Sequence, residues 1–468
     1  MIDRLKRLVP APLVRVLKAA RVNPVAGAPP RYRSQLGKDR QRAREGAAAG
    51  PPRSTARPGP ASGGARPQRD LESPGKPRGS AKAPRARTRA KPAGPPSYDD
   101  ELWWELRGTL AGWPAATGLT DFTYFPGKIL NPYLRLLYSA LPQAGYDPRP
   151  MRHLEHVNRL SPSAVLHLHW TRVAQLGATT EQDARRLTDA FLDTLAAFVE
   201  RGGRLLWSVH EALPHDCPYP AIEADLRQHL TDLAAGIHVL HSSTIDAVEP
   251  HYHLDPAKVF VVEHPLYTGV YPSYIGKGPA RRLLGVGDDD VLLLGFGAIR
   301  PYKGYDRLVR LLPRLRQETE LPVRLVIAGP TMPSVDNSEL RDLVAASQWV
   351  TMTEEPVPDE FVQVLFNGAD VLVLPYRDVL NSGVLMLGLT FGNVAVAPEN
   401  PVTRASVESG LLHLFDGASD EDLFAAVVRA IQDRERSHTG LPEAFAKRYD
   451  PAVVAADFAA AVARVVDA

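Results

Sequence analysis

Two short loops combine residue types and spacings that could hold an anion. The first is Gly297-Ala-Ile-Arg300-Pro-Tyr-Lys303-Gly304, directly after the apolar run Val291–Phe296. Gly295 and Gly297 let backbone approach a ligand closely. Arg300 offers a planar fork and Lys303 a point charge, and both suit phosphate oxygens. The loop leads into a helix pattern, whose first amides would add to the pull on an anion. The second loop is Pro375-Tyr-Arg377-Asp378-Val-Leu-Asn381-Ser382-Gly383, after Val371–Leu374 and before another helix pattern. Ser382 and Gly383 would turn free amides toward the same ligand. Ser382 also suits an ordinary helix N-cap, and the two roles are compatible. The alternative, a surface loop with two solvated cations, fits less well, because R-P-x-K-G stands directly after a buried strand pattern.

Histidines mark a second region. His210 follows Arg204–Val209, at a strand end, where it could donate to developing charge or transfer a proton. The competing reading is a satisfied histidine at a domain seam. Glu211 and Asp216 are further candidates for a base. His167 and His169 stand two apart in LHLHW, on one strand face. They could ligate zinc, but no third ligand stands at a persuasive spacing, which favours a structural or acceptor-lining role. His264 follows the last strand pattern of the first half. Asp288-Asp289-Asp290 precedes a strand instead of following one, so it reads as a solvated turn and not as a metal motif.

The elements that would carry these residues alternate. Strand patterns are Phe122–Phe125, Ala164–Leu168, Arg204–Val209, Ile237–Leu240 and Val259–Val262, then Val291–Phe296, Val323–Ala328, Val371–Leu374 and Val394–Ala397. Helix patterns fall between them at Pro132–Ala144, Glu181–Glu200, Ala221–Ala235, Tyr305–Arg316, Asp359–Gly368, Ser382–Phe391 and Asp420–Asp433. Such alternation predicts an α/β protein with parallel sheets covered on both faces. Runs such as VLLLGF are apolar without alternation, as strands buried on both sides require. Nine strands exceed one comfortable sheet. Two facing Rossmann-like doubly wound domains are expected, at 98–272 and 273–450, with a hinge over His264–Pro279 and an Ala/Val-rich helix at 451–468. In open α/β sheets ligands bind beyond the carboxyl ends of the strands, where both anion loops would lie.

The 468-residue chain has a net charge of +2, which hides a split. Residues 1–97 hold 23 Lys/Arg against 5 Asp/Glu and 16 of the 43 prolines; the remaining 371 residues hold 32 against 48. Residues 1–97 therefore read as a disordered basic N-terminal arm on an acidic body. Three readings of the arm stand: a solvated tail, a contact for an anionic membrane surface, and non-specific nucleic-acid contact. The third is the weakest, because Tyr32 is the arm's single aromatic residue. Cys217 is the only cysteine, which excludes an internal disulfide framework. No run is long and apolar enough to span a bilayer, and the basic, proline-bearing start does not read as a cleaved secretion signal. A cytoplasmic protein is expected, and, on the membrane reading of the arm, one peripheral on the inner face of the plasma membrane.

From Phe122 onward the chain resembles the GT-B glycosyltransferases of group 1, or family 4. The matching pieces are FPGKILNPYLRLLYSAL, VLHLHW, WSVHEALPH, ARRLLGVGDDDVLLLGFGAIRPYKGYDRLV, LVIAGP, ADVLVLPYRDVLNSGVLMLGLTFGNVAVAP and LLHLFD. The resemblance implies an enzyme that moves a sugar from a UDP- or GDP-sugar to a cell-envelope glycolipid or polysaccharide, with the sugar nucleotide as co-substrate and no metal or other cofactor. It implies that Arg300 and Lys303 neutralise the donor diphosphate beside the amides of Ser382 and Gly383. It also implies that His210 faces the transferred sugar, that Gly127–Asn131 forms a loop reaching donor and acceptor, that Gly297 lines the site, and that Glu354 or Glu355 lies near the base and ribose. One departure stands out. Many members carry two glutamates eight residues apart near the last phosphate-binding helix; here Leu387 or Gly388 takes the second place and no Glu the first. This leaves the donor and the stereochemical outcome open, and keeps a non-catalytic sugar-nucleotide or glycan-binding protein as the alternative.

Overall fold

The structure is a computed structural model that describes residues 118–127, 132–214, 217–332, 335–377 and 379–467. The basic arm, Asn131, Asp216 and Asp378 lie outside them. Among the described residues twelve strands form two six-stranded sheets, and every pairing is parallel. The first sheet holds β1 (Thr120–Phe125), β2 (Tyr146–Pro150), β3 (Val165–Leu168), β4 (Arg204–Val209), β5 (Gly236–Val239) and β6 (Val259–Val261). The second holds β7 (Val291–Phe296), β8 (Val323–Ala328), β9 (Val350–Thr353), β10 (Val371–Val373), β11 (Val394–Pro398) and β12 (Leu412–Phe415). The orders are β2-β1-β3-β4-β5-β6 and β12-β11-β10-β7-β8-β9. Chain direction across each sheet reverses once, beside β1 and beside β7. At such switch points neighbouring strand-end loops splay apart and open a crevice.

Burial explains why the central strands form. Leu292, Leu293 and Leu294 of β7 are 0% exposed, so both faces of this strand are covered. One face of the first sheet packs on Phe191, Leu195 and Phe198 of the helix Glu181–Glu200. That helix starts on a Thr180 cap to the Asp183 amide, with Glu181 and Asp183 in its first turn. The opposite face packs on Tyr133, Leu134 and Leu137, together with Val454, Phe458 and Val462 of the final helix Pro451–Asp467. The chain therefore ends against the first sheet, although Phe445 and Tyr449, just before that helix, belong to the core of the second.

Three details differ from the sequence reading. The helix expected at Pro132–Ala144 is Tyr133–Leu137 plus a separate 3₁₀ turn at Pro142–Ala144, since Pro142 supplies no amide to continue an α-helix. The passage between sheets is over before residue 272. Leu266 and Tyr267 are buried in the second core, with their amides bonded to the Tyr449 carbonyl and the Thr390 hydroxyl, each at 2.8 Å. Pro279 lies inside the helix Lys277–Leu284 and not in a hinge.

Candidate active site

The loops after β7 and β10 flank the switch point of the second sheet, and the structure brings them together. The Arg377 amide donates to the Tyr302 carbonyl at 3.2 Å. Gly304, with φ of 62°, lies so close to Pro375 that a Cβ would strike its carbonyl oxygen. Tyr305 donates to the Phe296 carbonyl at 2.7 Å, and the Tyr376 ring meets that of Tyr302 edge-on at 6.0 Å between centroids. These contacts hold the end of β7 against the loop that leads into the helix Gly383–Thr390. Ser382 caps that helix through the Leu385 amide, at 3.2 Å. The earlier amides of the first turn have no acceptor within the helix.

Lys303 sits at this junction. At Gly297, with φ of 95°, a Cβ would lie 2.9 Å from Lys303 Nζ and 3.2 Å from Val384 in the first turn of the helix. Lysine, glycine and helix start therefore enclose one small space. Lys303 is only 6% exposed. Its Nζ lies 3.5 Å from the Phe296 carbonyl and 5.2 Å from the centroid of the Tyr376 ring. Among the described residues no carboxylate pairs with it. Burial, with the Arg300 charge adding to it, pulls its pKa down from 10.5 to about 7. A buried ammonium without a counter-ion is costly, and an incoming anion would relieve that cost.

The first sheet supplies the facing group. His210 follows β4, half-buried, its ring stacked on Trp170 at 4.4 Å between centroids and meeting the Tyr133 ring edge-on at 5.8 Å. The His210 carbonyl accepts from Asn381 Nδ2 at 3.0 Å, joining the loop after β4 to the loop after β10. Behind it, Arg227 donates to the carbonyls of Glu211 and Ala212 and pairs with Glu223 at 2.9 Å, while Glu223 also accepts from Thr171 and Gln175. This buried ion pair has its hydrogen bonds satisfied and fixes the loop that follows His210. Burial pushes the His210 pKa well down, so the ring is neutral near pH 7.

Residues 290–433, the stretch that carries Arg300, Lys303, Ser382 and Gly383, match the family of group 1 glycosyl transferases. The family match and the relatives together support a group 1 glycosyltransferase. A GDP-mannose:glycolipid 4-beta-D-mannosyltransferase of Xanthomonas campestris pv. campestris is 27% identical over 326 residues, covering 66% of this chain and 83% of the relative. A D-inositol 3-phosphate glycosyltransferase of Stackebrandtia nassauensis is 35% identical over 194 residues, 38% of this chain and 40% of the relative. Among solved structures, Anabaena HepE in complex with UDP and glucose aligns with a TM-score of 0.55 at 14% identity, over 74% of this chain and 100% of that one. Sucrose-phosphate synthase from Thermosynechococcus elongatus gives 0.56 at 13%, over 74% and 98%. At these identities the likeness concerns the fold, which is GT-B.

Of the other sequence-derived candidates, Glu354 and Asp290 pair away from this cluster, and His169 adjoins His210 within it. The Gly127 amide donates to the Met151 carbonyl at 2.6 Å, so this residue closes the end of β1 onto the chain after β2. Glu354 lies beyond β9, two strands from β7, with its carboxylate held by both arms of Arg341 and its carbonyl accepting from Thr331 at 3.2 Å. Asp290 pairs with Arg324 at 2.8 Å and accepts from the Gly287 amide at 2.8 Å, closing a turn. His167 and His169 are buried. The sequence reading gave no role to Trp170, Tyr376, Asn381 or the Glu223–Arg227 pair. The last did leave a trace, opposite charges four apart within a helix pattern.

Proposed function

We propose that the enzyme transfers a sugar from a nucleoside-diphosphate donor, held at the switch point of the second sheet, to a hydroxyl of a cell-envelope glycolipid or polysaccharide presented from the first. The observation that carries this is Lys303, a buried ammonium with no acid partner among the described residues, beside Gly297 and the start of the helix Gly383–Thr390. In transfer, an acceptor oxygen bonds to the anomeric carbon as the carbon–oxygen bond to the diphosphate breaks. Negative charge grows on the departing diphosphate. Fixed cations at Arg300 and Lys303, with the amides of Ser382 and Gly383, lower that barrier without calling on a metal. His210 faces the sugar from the opposite loop. The glycolipid acceptor draws support from the Xanthomonas relative's name and from the basic arm, which would favour an anionic lipid surface. No helix among the described residues is long and apolar enough to cross a membrane.

Lys303 makes donor binding pH-dependent. A diphosphate beside it restores the charged form, so its pKa rises on binding from about 7 toward the ordinary lysine value. Affinity for UDP or GDP is then full below pH 7 and falls above it, by on the order of tenfold per pH unit. Calorimetry at pH 8 in two buffers of different ionisation heat should show close to one proton taken up. No uptake would remove Lys303 from the diphosphate site.

The donor is found by thermal stabilisation and turnover of the full chain with a panel of UDP- and GDP-sugars, GDP-mannose included, since a bound ligand raises apparent stability by mass action. One nucleotide series should stabilise the protein and be consumed when a lipid-linked acceptor is added. Indifference to every sugar nucleotide would contradict the reading. Flotation with anionic liposomes, with and without residues 1–97, tests the arm.

A further inference from the structure

On the face of the first sheet that the final helix covers, alternation along the strands sets polar side chains side by side: His167 and His169 on and just after β3, Ser208 and His210 on and just after β4, His238 on β5. His167, His169, Ser208 and His238 are each at most 1% exposed. Phe458 of the final helix lies against His167 and His238, with ring centroids at 5.4 and 5.3 Å. Beneath it runs one unbroken series of hydrogen bonds. His238 Nε2 is 2.9 Å from the Val262 carbonyl, and its Nδ1 is 2.7 Å from Ser208 Oγ. Ser208 Oγ is 2.9 Å from His167 Nε2, and His167 Nδ1 is 2.9 Å from the Tyr138 hydroxyl. That hydroxyl also bonds to His169 Nε2, and His169 Nδ1 is 2.9 Å from His210 Nε2.

The direction of every bond follows from the first. A carbonyl only accepts, so His238 donates from Nε2 and, as a neutral ring, accepts at Nδ1. Ser208 spends its one proton on His238 and must accept from His167 Nε2. Neutral His167 then accepts at Nδ1 from Tyr138, whose oxygen accepts from His169 Nε2. His169 is left with an acceptor at Nδ1, which takes the proton of His210 Nε2. Burial pushes the pKa of all four rings down, that of His238 to about 4, so neutral rings hold near pH 7.

We propose that this series locks His210 as its Nε2–H tautomer and reserves Nδ1 as its one free acceptor, which makes Tyr138, Ser208 and His238 positioning residues for the acceptor face of the site. Nδ1 of half-buried His210 has no hydrogen-bond partner among the described residues. It suits a hydroxyl of the sugar or of the acceptor and repels a phosphate oxygen. Because the series ends on a carbonyl, which takes no further proton, it orients His210 and does not carry a proton away. The hydroxyl partner rests on the function proposed above; the tautomer does not, and can be read in the free enzyme.

Long-range proton–nitrogen NMR of the full chain labelled with [15N]histidine, at pH 7.5, decides the matter, with His210→Asn identifying the His210 signals. The expected result is a neutral Nε2–H pattern for His210, His169, His167 and His238 together. Tyr138→Phe cuts the series; the two nitrogen shifts of His210 should then move toward each other as its tautomers mix. Ser208→Ala should act likewise and Ser208→Thr should restore the pattern. An Nδ1–H or doubly protonated His210 in the wild type overturns the proposal, and so do His210 shifts that ignore Tyr138→Phe. With a turned-over sugar nucleotide, Tyr138→Phe should lower kcat about tenfold at an unchanged donor KM. A drop confined to KM would count against positioning.

Discussion

Replacing Lys303 by Met should lower sugar transfer by on the order of a thousandfold while leaving the protein at least as stable as before. The two effects have one origin. In the free enzyme Nζ is buried beside Arg300, has no acid partner among the described residues, and is held near neutrality by its surroundings. Such a group costs stability, and an apolar side chain of similar length relieves that cost. In the transition state of the proposed transfer the same ammonium would face a diphosphate that is gaining charge, where a fixed cation has its greatest effect. Loss of activity through misfolding would show the opposite sign in a thermal melt. Arg300→Ala should also abolish transfer. Full activity in Lys303→Met, or a melt far below wild type, would contradict this arrangement.

The second large effect concerns acid. Burial lowers the pKa of His167, His169, His210, His238 and His264, the last two to about 4 in the case of His238 and His264. Each is neutral in the folded chain, whereas in the unfolded chain each takes a proton near pH 6.5. Their contribution to stability is therefore complete above pH 6.5 and is lost as pH falls toward the folded values. His238, with a folded value of about 4, alone loses about 2 kcal/mol by pH 5, and His167 and His169 shift in the same direction. Even one such ring is a sizeable part of the roughly 5–15 kcal/mol that holds a domain together. Urea unfolding at pH 7.5, 6.5, 5.8 and 5 should show a steep fall within this window, above the range where carboxylates titrate. A flat profile from 7.5 to 5 would mean that these rings are not buried neutral.

The central strands were legible because two-sided burial writes itself as an unbroken apolar run, as in VLLLGF. The strands missed, β2, β9 and β12, are all sheet edges. YDPRP carries two prolines, which an edge tolerates, and the VTMT of β9 is half-exposed throughout. The loop after β7 stood out in the sequence because Arg300 and Lys303 are close together and follow a strand. Around the end of β4 only His210 stood out, and its neighbours did not. His210, Trp170, Tyr133 and Asn381 come from four separate segments, and only the sheet order brings them together. The pair of histidines at 167 and 169 was visible as a same-face pattern. Its connection to Tyr138, Ser208 and His238 depends on strand register and on a helix more than two hundred residues away.

Calorimetric titration of UDP and of GDP into the wild type and into Lys303→Met at pH 7 tests the diphosphate site most directly. The nucleotide that binds the wild type should bind the variant on the order of ten- to a hundredfold more weakly, as the loss of a charge-assisted contact requires. Equal affinity in both proteins would show that the diphosphate does not lie at Lys303.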